Sequence, residues 1–66
     1  MSDQWTHLDV DEIVGESQKA FEVRIGKNRY WIPMSQISDY EDYSLWDKNC
    51  VMSVKTWFCE KENING

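Results

Sequence analysis

The sequence predicts a mainly β domain: a small curled antiparallel sheet, or an SH3- or OB-like barrel, of four to five strands with a short C-terminal helix. Three observations carry this expectation. Leucine is rare (Leu8 and Leu45) while valine and isoleucine dominate the aliphatic residues, a balance suited to a pleated surface. Phe21, Val23 and Ile25 alternate with Glu22 and Arg24, the period of a half-buried strand. Tyr30, Trp31 and Ile32 run into Pro33, which lacks an N–H and fixes φ, so a strand leads into it and stops at a corner.

In chain order, Met1–Thr6 reads as a frayed polar start, with Trp5 able to fold back onto the body. Leu8, Val10 and Val14 oppose Asp9 and Asp11, predicting a first strand over Leu8–Glu16 that bends near Ile13-Val14-Gly15, where the alternation breaks. Ser17-Gln18 turns the chain. Lys19–Ile25 is the second strand, Gly26-Lys27-Asn28 a tight hairpin loop with Gly26 and Asn28 suited to positive φ, and Arg29–Pro33 the return strand. Tyr30 and Ile32 face one way and Trp31 the other, so this strand is expected centrally, or with one aromatic covered by a later segment. Met34–Ile37 makes the corner as one helical or 3₁₀ turn, Ile37 plugging the core. Ser35 and Gln36 are expected to satisfy backbone groups freed at the proline.

Ser38–Asn49 is an acidic loop containing Tyr40, Tyr43, Leu45 and Trp46. Cys50, Met52 and Val54 alternate with Ser53 and Lys55 in a fourth strand. Thr56 is placed as N-cap of a helix from Trp57 to about Asn63, on which Trp57, Lys61 and Ile64 share a face. Trp31, Ile32, Ile37 and Trp57 are expected in the core. Residues 1–66 form one domain, with no repeat or linker. A chain of 66 residues hides only ~60% of its unfolded surface, and nine aromatics help it do so.

The formal charge is −5, unevenly spread. Asp3, Asp9, Asp11, Glu12 and Glu16 precede any Lys or Arg, and Asp39, Glu41, Asp42 and Asp47 cluster later. Lys19, Arg24, Lys27 and Arg29 sit in or beside the hairpin. Net acidity argues against general affinity for nucleic acid, which rests on phosphate neutralisation. No apolar run has the length of a signal peptide or membrane span, so a cytoplasmic location, no membrane partner, and reduced Cys50 and Cys59 are expected.

Lys19-Ala20-Phe21-Glu22-Val23, the hairpin, then Trp31-Ile32-Pro33-Met34-Ser35-Gln36-Ile37 and Trp57 in a C-terminal helix together resemble a group of small, uncharacterised phage and prophage proteins with a W-I-P-x-S-Q-I signature. The resemblance covers about residues 12–64. Met34 stands where lysine is usual, removing charge from that corner, and Trp57-Phe58-Cys59 where Trp-Leu-Ala is usual. The resemblance implies a viral or mobile-element origin and a compact β fold, and no catalytic residues.

Catalysis requires a nucleophile, base or metal with an orienting partner. His7 is the sole histidine, near a terminus, and reads as ordinary surface. With only two cysteines beside it, no four-ligand zinc site can be completed. Cys59 beside Trp57 would be an activated thiol only if something lowered its pKa, for which its place near a helix start gives slight help, and it reads as core. Three separated glycines make no phosphate loop. No catalytic residue, metal or cofactor is therefore expected.

The stretch richest in recognition chemistry is Asp39, Tyr40, Glu41, Asp42, Tyr43, Trp46 and Asp47: aromatics suited to an interface hot spot, with fixed negative charge that steers basic partners. The plainer reading is that Tyr40 and Trp46 lid the fold while the acids keep it soluble. The expectation is a non-catalytic, phage-encoded protein, monomeric or a small homo-oligomer. It would block a basic, nucleic-acid-handling host protein through this acidic/aromatic surface, as an anti-defence (anti-CRISPR-like) inhibitor does. The alternatives are a small nucleic-acid-binding module using Lys19, Arg24, Lys27 and Arg29, and a virion or assembly accessory.

Overall fold

The computed structural model of the chain describes residues 4–64. Strands β1 (Trp5–Glu16), β2 (Ala20–Ile25), β3 (Asn28–Pro33) and β4 (Lys48–Lys55) form one antiparallel sheet in the order β3-β2-β1-β4, and a helix α1 (Thr56–Lys61) follows β4 directly. Single 3₁₀ turns occupy Met34–Gln36 and Tyr40–Asp42. The sheet curls but stays open, so of the two expected architectures the curled sheet holds and the closed barrel does not. The first strand begins at Trp5, not Leu8: Trp5 pairs with Lys55 and Thr6 with Val54, so these two residues are not frayed. Residues Met1–Asp3 of the expected polar start lie outside the described residues.

The bend in β1 falls where its pattern breaks. Ile13 pairs with Val23 and Gly15 with Glu22, leaving Val14 as the extra residue of a bulge. A side chain at Gly15 would be crowded there. A Cβ would lie 2.9 Å from Glu22 Oε1, 3.0 Å from Glu22 Cβ and 3.4 Å from the Trp31 ring.

The β2–β3 hairpin is tighter than expected. Ile25 pairs with Asn28, so only Gly26 and Lys27 turn, with Gly26 at φ 62° and Lys27 not positive, the type II′ pattern. Asp11 Oδ2 accepts the Gly26 N–H at 2.7 Å and lies 3.5 Å from Arg24 Nη1, tying the turn to β1.

One face of the sheet carries the core: Leu8, Val10, Ile13, Phe21, Val23, Ile32, Met52 and Val54, covered by Ile37, Phe58, Cys59 and Ile64. The helix end explains how Ile64 reaches it. Asn63 adopts left-handed φ 55°, its N–H reaches Glu60 O at 3.3 Å, and the Ile64 N–H reaches Cys59 O at 2.9 Å. This Schellman closure folds the chain back and buries Ile64. The helix therefore ends at Lys61, and Ile64 does not share a face with Trp57, which is exposed. Thr56 is not the N-cap. Lys55 holds that position, and Thr56 Oγ1 instead bonds Thr6 Oγ1 at 2.8 Å.

At the corner, backbone groups rather than side chains do the work. The Met34 N–H donates to Lys19 O at 2.7 Å and the Ile37 N–H to Met34 O at 3.0 Å. Ser35 and Gln36 bond each other at 3.1 Å, leaving Gln36 Oε1 buried without a partner, so the expected side-chain repair of the corner is not made.

Candidate functional site

The acidic loop is built by its backbone. It leaves the corner along β4: Ile37 bridges Val54, the Ser38 N–H donates to Ser53 O at 2.9 Å, and the Tyr43 hydroxyl donates to Val51 O at 2.8 Å. Alternation along β4 points the carbonyls of Val51 and Ser53 away from β1, so these bonds cover its outer edge. The loop then locks onto β1, with the Trp46 N–H on Ile13 O and the Ile13 N–H on Asp47 O, both 2.8 Å. Asp47 Oδ2 accepts the Ser44 N–H at 2.8 Å, closing the turn that carries Leu45 and Trp46.

This scaffold divides the seven expected site residues. Tyr43 and Asp47 are partly buried and structural. Burial raises the Tyr43 phenol above its ordinary pKa, and Cys50, Asp42 and Asp39 raise it further. Asp39, Tyr40, Glu41, Asp42 and Trp46 are exposed. The only ion pairs among the described residues join Arg24 to Asp11 (3.5 Å) and Glu12 (3.9 Å), so Asp39, Glu41 and Asp42 keep their charge uncompensated.

Trp46 is the most unusual of them. It is 61% exposed and sits at φ 76°, where a bulky L-residue costs ~1–2 kcal/mol. The bonds from Ser44, Asp47 and Ile13 hold that conformation, so the strain is stored in a loop whose product is an indole aimed at water. Leu45 beside it is also exposed, whereas Tyr43 packs against the core as the lid. The plainer reading of Tyr40 and Trp46 as lids is thus not what the loop does.

Beside the loop, an open groove of about 380 Å³ is lined by Gln18, Lys19, Pro33, Met34, Ser35 and Tyr40. Tyr40 joins the groove to the acidic surface. Sequence reasoning missed it because it forms between the ends of β2 and β3 and a residue seven positions further on.

The remaining tryptophans correct a larger expectation. Trp5 is 40% exposed, Trp31 51% and Trp57 53%, so none is core. Trp31 pairs with half-buried Glu22 on the face of the sheet opposite the core. It lies on β3, which is an edge strand and not central, with its ring reaching over Glu22 to Gly15. Ile37, by contrast, is buried as expected.

His7 is exposed, its Nδ1 2.8 Å from Ser53 Oγ. Burial pushes both thiols up, Cys50 with help from Asp47, and Cys59 against a hydrogen bond from Thr6. Neither is thereby an activated nucleophile. Among the described residues no cluster of histidine, cysteine and carboxylates suits a metal, and no helix is long and apolar enough to cross a membrane. No protein-family model, curated protein or solved structure matches the chain.

Proposed function

We propose that the protein is a non-catalytic binding protein whose working surface is Asp39, Tyr40, Glu41, Asp42 and Trp46, directed at a basic surface on another protein. The observation that carries this reading is Trp46: a strained, hydrogen-bond-locked, solvent-facing indole on the same loop as three exposed carboxylates that have no ion-pair partner among the described residues. An exposed aromatic anchor and unpaired carboxylates carried by one loop supply both parts of an interface, apolar burial and electrostatic steering. The resemblance to phage proteins extends the reading to a cytoplasmic, phage-encoded inhibitor of a bacterial host protein that handles nucleic acid, with the carboxylates standing in for phosphates. The free thiols of Cys50 and Cys59 accord with such a role.

Affinity capture from bacterial lysate tests this. The wild-type protein retains a basic protein at low salt and releases it as ionic strength rises, and Trp46→Ala or Glu41→Lys/Asp42→Lys abolishes retention. Recovery of no partner at low salt, or capture indifferent to both variants, overturns it.

A nucleic-acid reading keeps one specific support: exposed Trp31 shares its face of β3 with Arg29, which pairs across to Arg24. Arg24 is, however, already engaged by Asp11 and Glu12. Salt-sensitive retention of DNA or RNA in a gel shift, lost on Trp31→Ala, would favour this second reading.

A further inference from the structure

We infer that the outer edge of β3 is a self-association site, pairing antiparallel with the β3 of a second copy about a two-fold axis through Tyr30. The two sheet edges are treated differently. That of β4 is covered, its Val51 and Ser53 carbonyls taken by Tyr43 and Ser38. That of β3 has no such cover among the described residues. The Met34 N–H bonded to Lys19 O sets the alternation along the hairpin, so Asn28, Tyr30 and Ile32 bond β2 while the N–H and C=O groups of Arg29 and Trp31 point outward. An uncovered edge of this kind is a template for another strand.

The side chains select the occupant and the register. Arg29 and Trp31 project from the same sheet face, two residues apart, and both are exposed. With Tyr30 opposite Tyr30 of the second copy, each Arg29 faces Trp31 of the other chain. Four backbone hydrogen bonds form, two guanidinium groups reach the exposed faces of two indoles, and two half-buried tyrosines meet on the opposite face. A shift that sets Arg29 against Arg29 opposes like charges, and Pro33, with no N–H to give, ends the pairing. The strand is thus complementary to itself, which points to a second copy and not an unrelated peptide. The contact uses none of the acidic-loop residues, so it stands or falls separately from the proposed function.

Sedimentation across a concentration series tests it, together with oxidative cross-linking. The expected results are a species of twice the 7.9 kDa chain mass and about tenfold weaker association for Arg29→Glu, from the loss of two cation–π contacts. Tyr30→Cys links to itself under mild oxidant, because facing residues that are not hydrogen-bonded lie about 4.5 Å apart at Cα, within disulfide reach. Asn28→Cys, which would face Ile32, does not. A single-chain mass at every concentration, a dimer indifferent to Arg29→Glu, or equal linking of the two cysteine variants overturns the inference. Arg29 is exposed, so its variant remains informative should Tyr30→Cys fail to fold.

Discussion

Trp46 and Asn63 hold the same left-handed backbone for opposite ends. Asn63 is one of the few side chains that tolerate this region cheaply, and it uses the turn to bury Ile64. Trp46 is poorly suited to it and uses the turn to keep an indole out of the core. The two therefore respond differently to glycine. Trp46→Gly relieves the strain while removing little buried surface, so urea denaturation is expected to show stability unchanged or raised by up to ~1 kcal/mol, with partner capture lost. A large loss of stability would instead mark Trp46 as structural. At Asn63, substitution by alanine is expected to cost ~1 kcal/mol and substitution by glycine nothing measurable, read from the same denaturation midpoints.

Among the elements, the stretch between β3 and β4 is the one whose order depends on single contacts. Tyr43 ties it to Val51, and the Tyr43 ring packs against the core. Tyr43→Phe keeps the ring and deletes the bond, at an expected cost of ~1 kcal/mol, with faster proteolytic cleavage within residues 39–47 as the direct readout. The same residue contributes to pH dependence. Tyr43, Cys50 and Cys59 all have folded-state pKa values raised chiefly by burial, so the folded protein holds these protons more tightly than the unfolded chain. Their stabilisation is complete below the unfolded values, roughly 8.5 for a thiol and 10 for a phenol, and is lost as pH climbs through the higher folded ones. Denaturation midpoints are expected to fall steadily on the alkaline side of that range, and less steeply in Tyr43→Phe. A midpoint flat through pH ~11 would contradict the burial of these groups.

For the whole molecule, an open sheet covered on one face leaves the other to water, and all four tryptophans end up at least two-fifths exposed. Steady-state fluorescence is expected to be red-shifted in the native protein, with every indole quenched by acrylamide. Comparison of single-tryptophan proteins should show caesium outperforming iodide at Trp46, on the acidic loop, and the reverse at Trp31, beside Arg29. The core that remains is small and mostly aliphatic, so it has little reserve. Leu8→Ala, at a fully buried position of β1 opposite Met52 of β4, is expected to cost 2–5 kcal/mol, a range large enough to unfold a domain of this size.

The alternation of Phe21, Val23 and Ile25, the break at Gly15, the glycine turn at Gly26, the stop at Pro33 and the acidic loop with its aromatics were all legible along the chain. Each is decided by residues within a few positions of one another. Strand order, edge coverage and the fate of the tryptophans were not, because they depend on pairings between distant segments: Ile13 with Asp47, Ser38 with Ser53, Thr6 with Thr56. A large aromatic signals burial only on average. Whether it is buried here depends on which face of which strand carries it, and one layer of covering chain can hide only one face of a sheet.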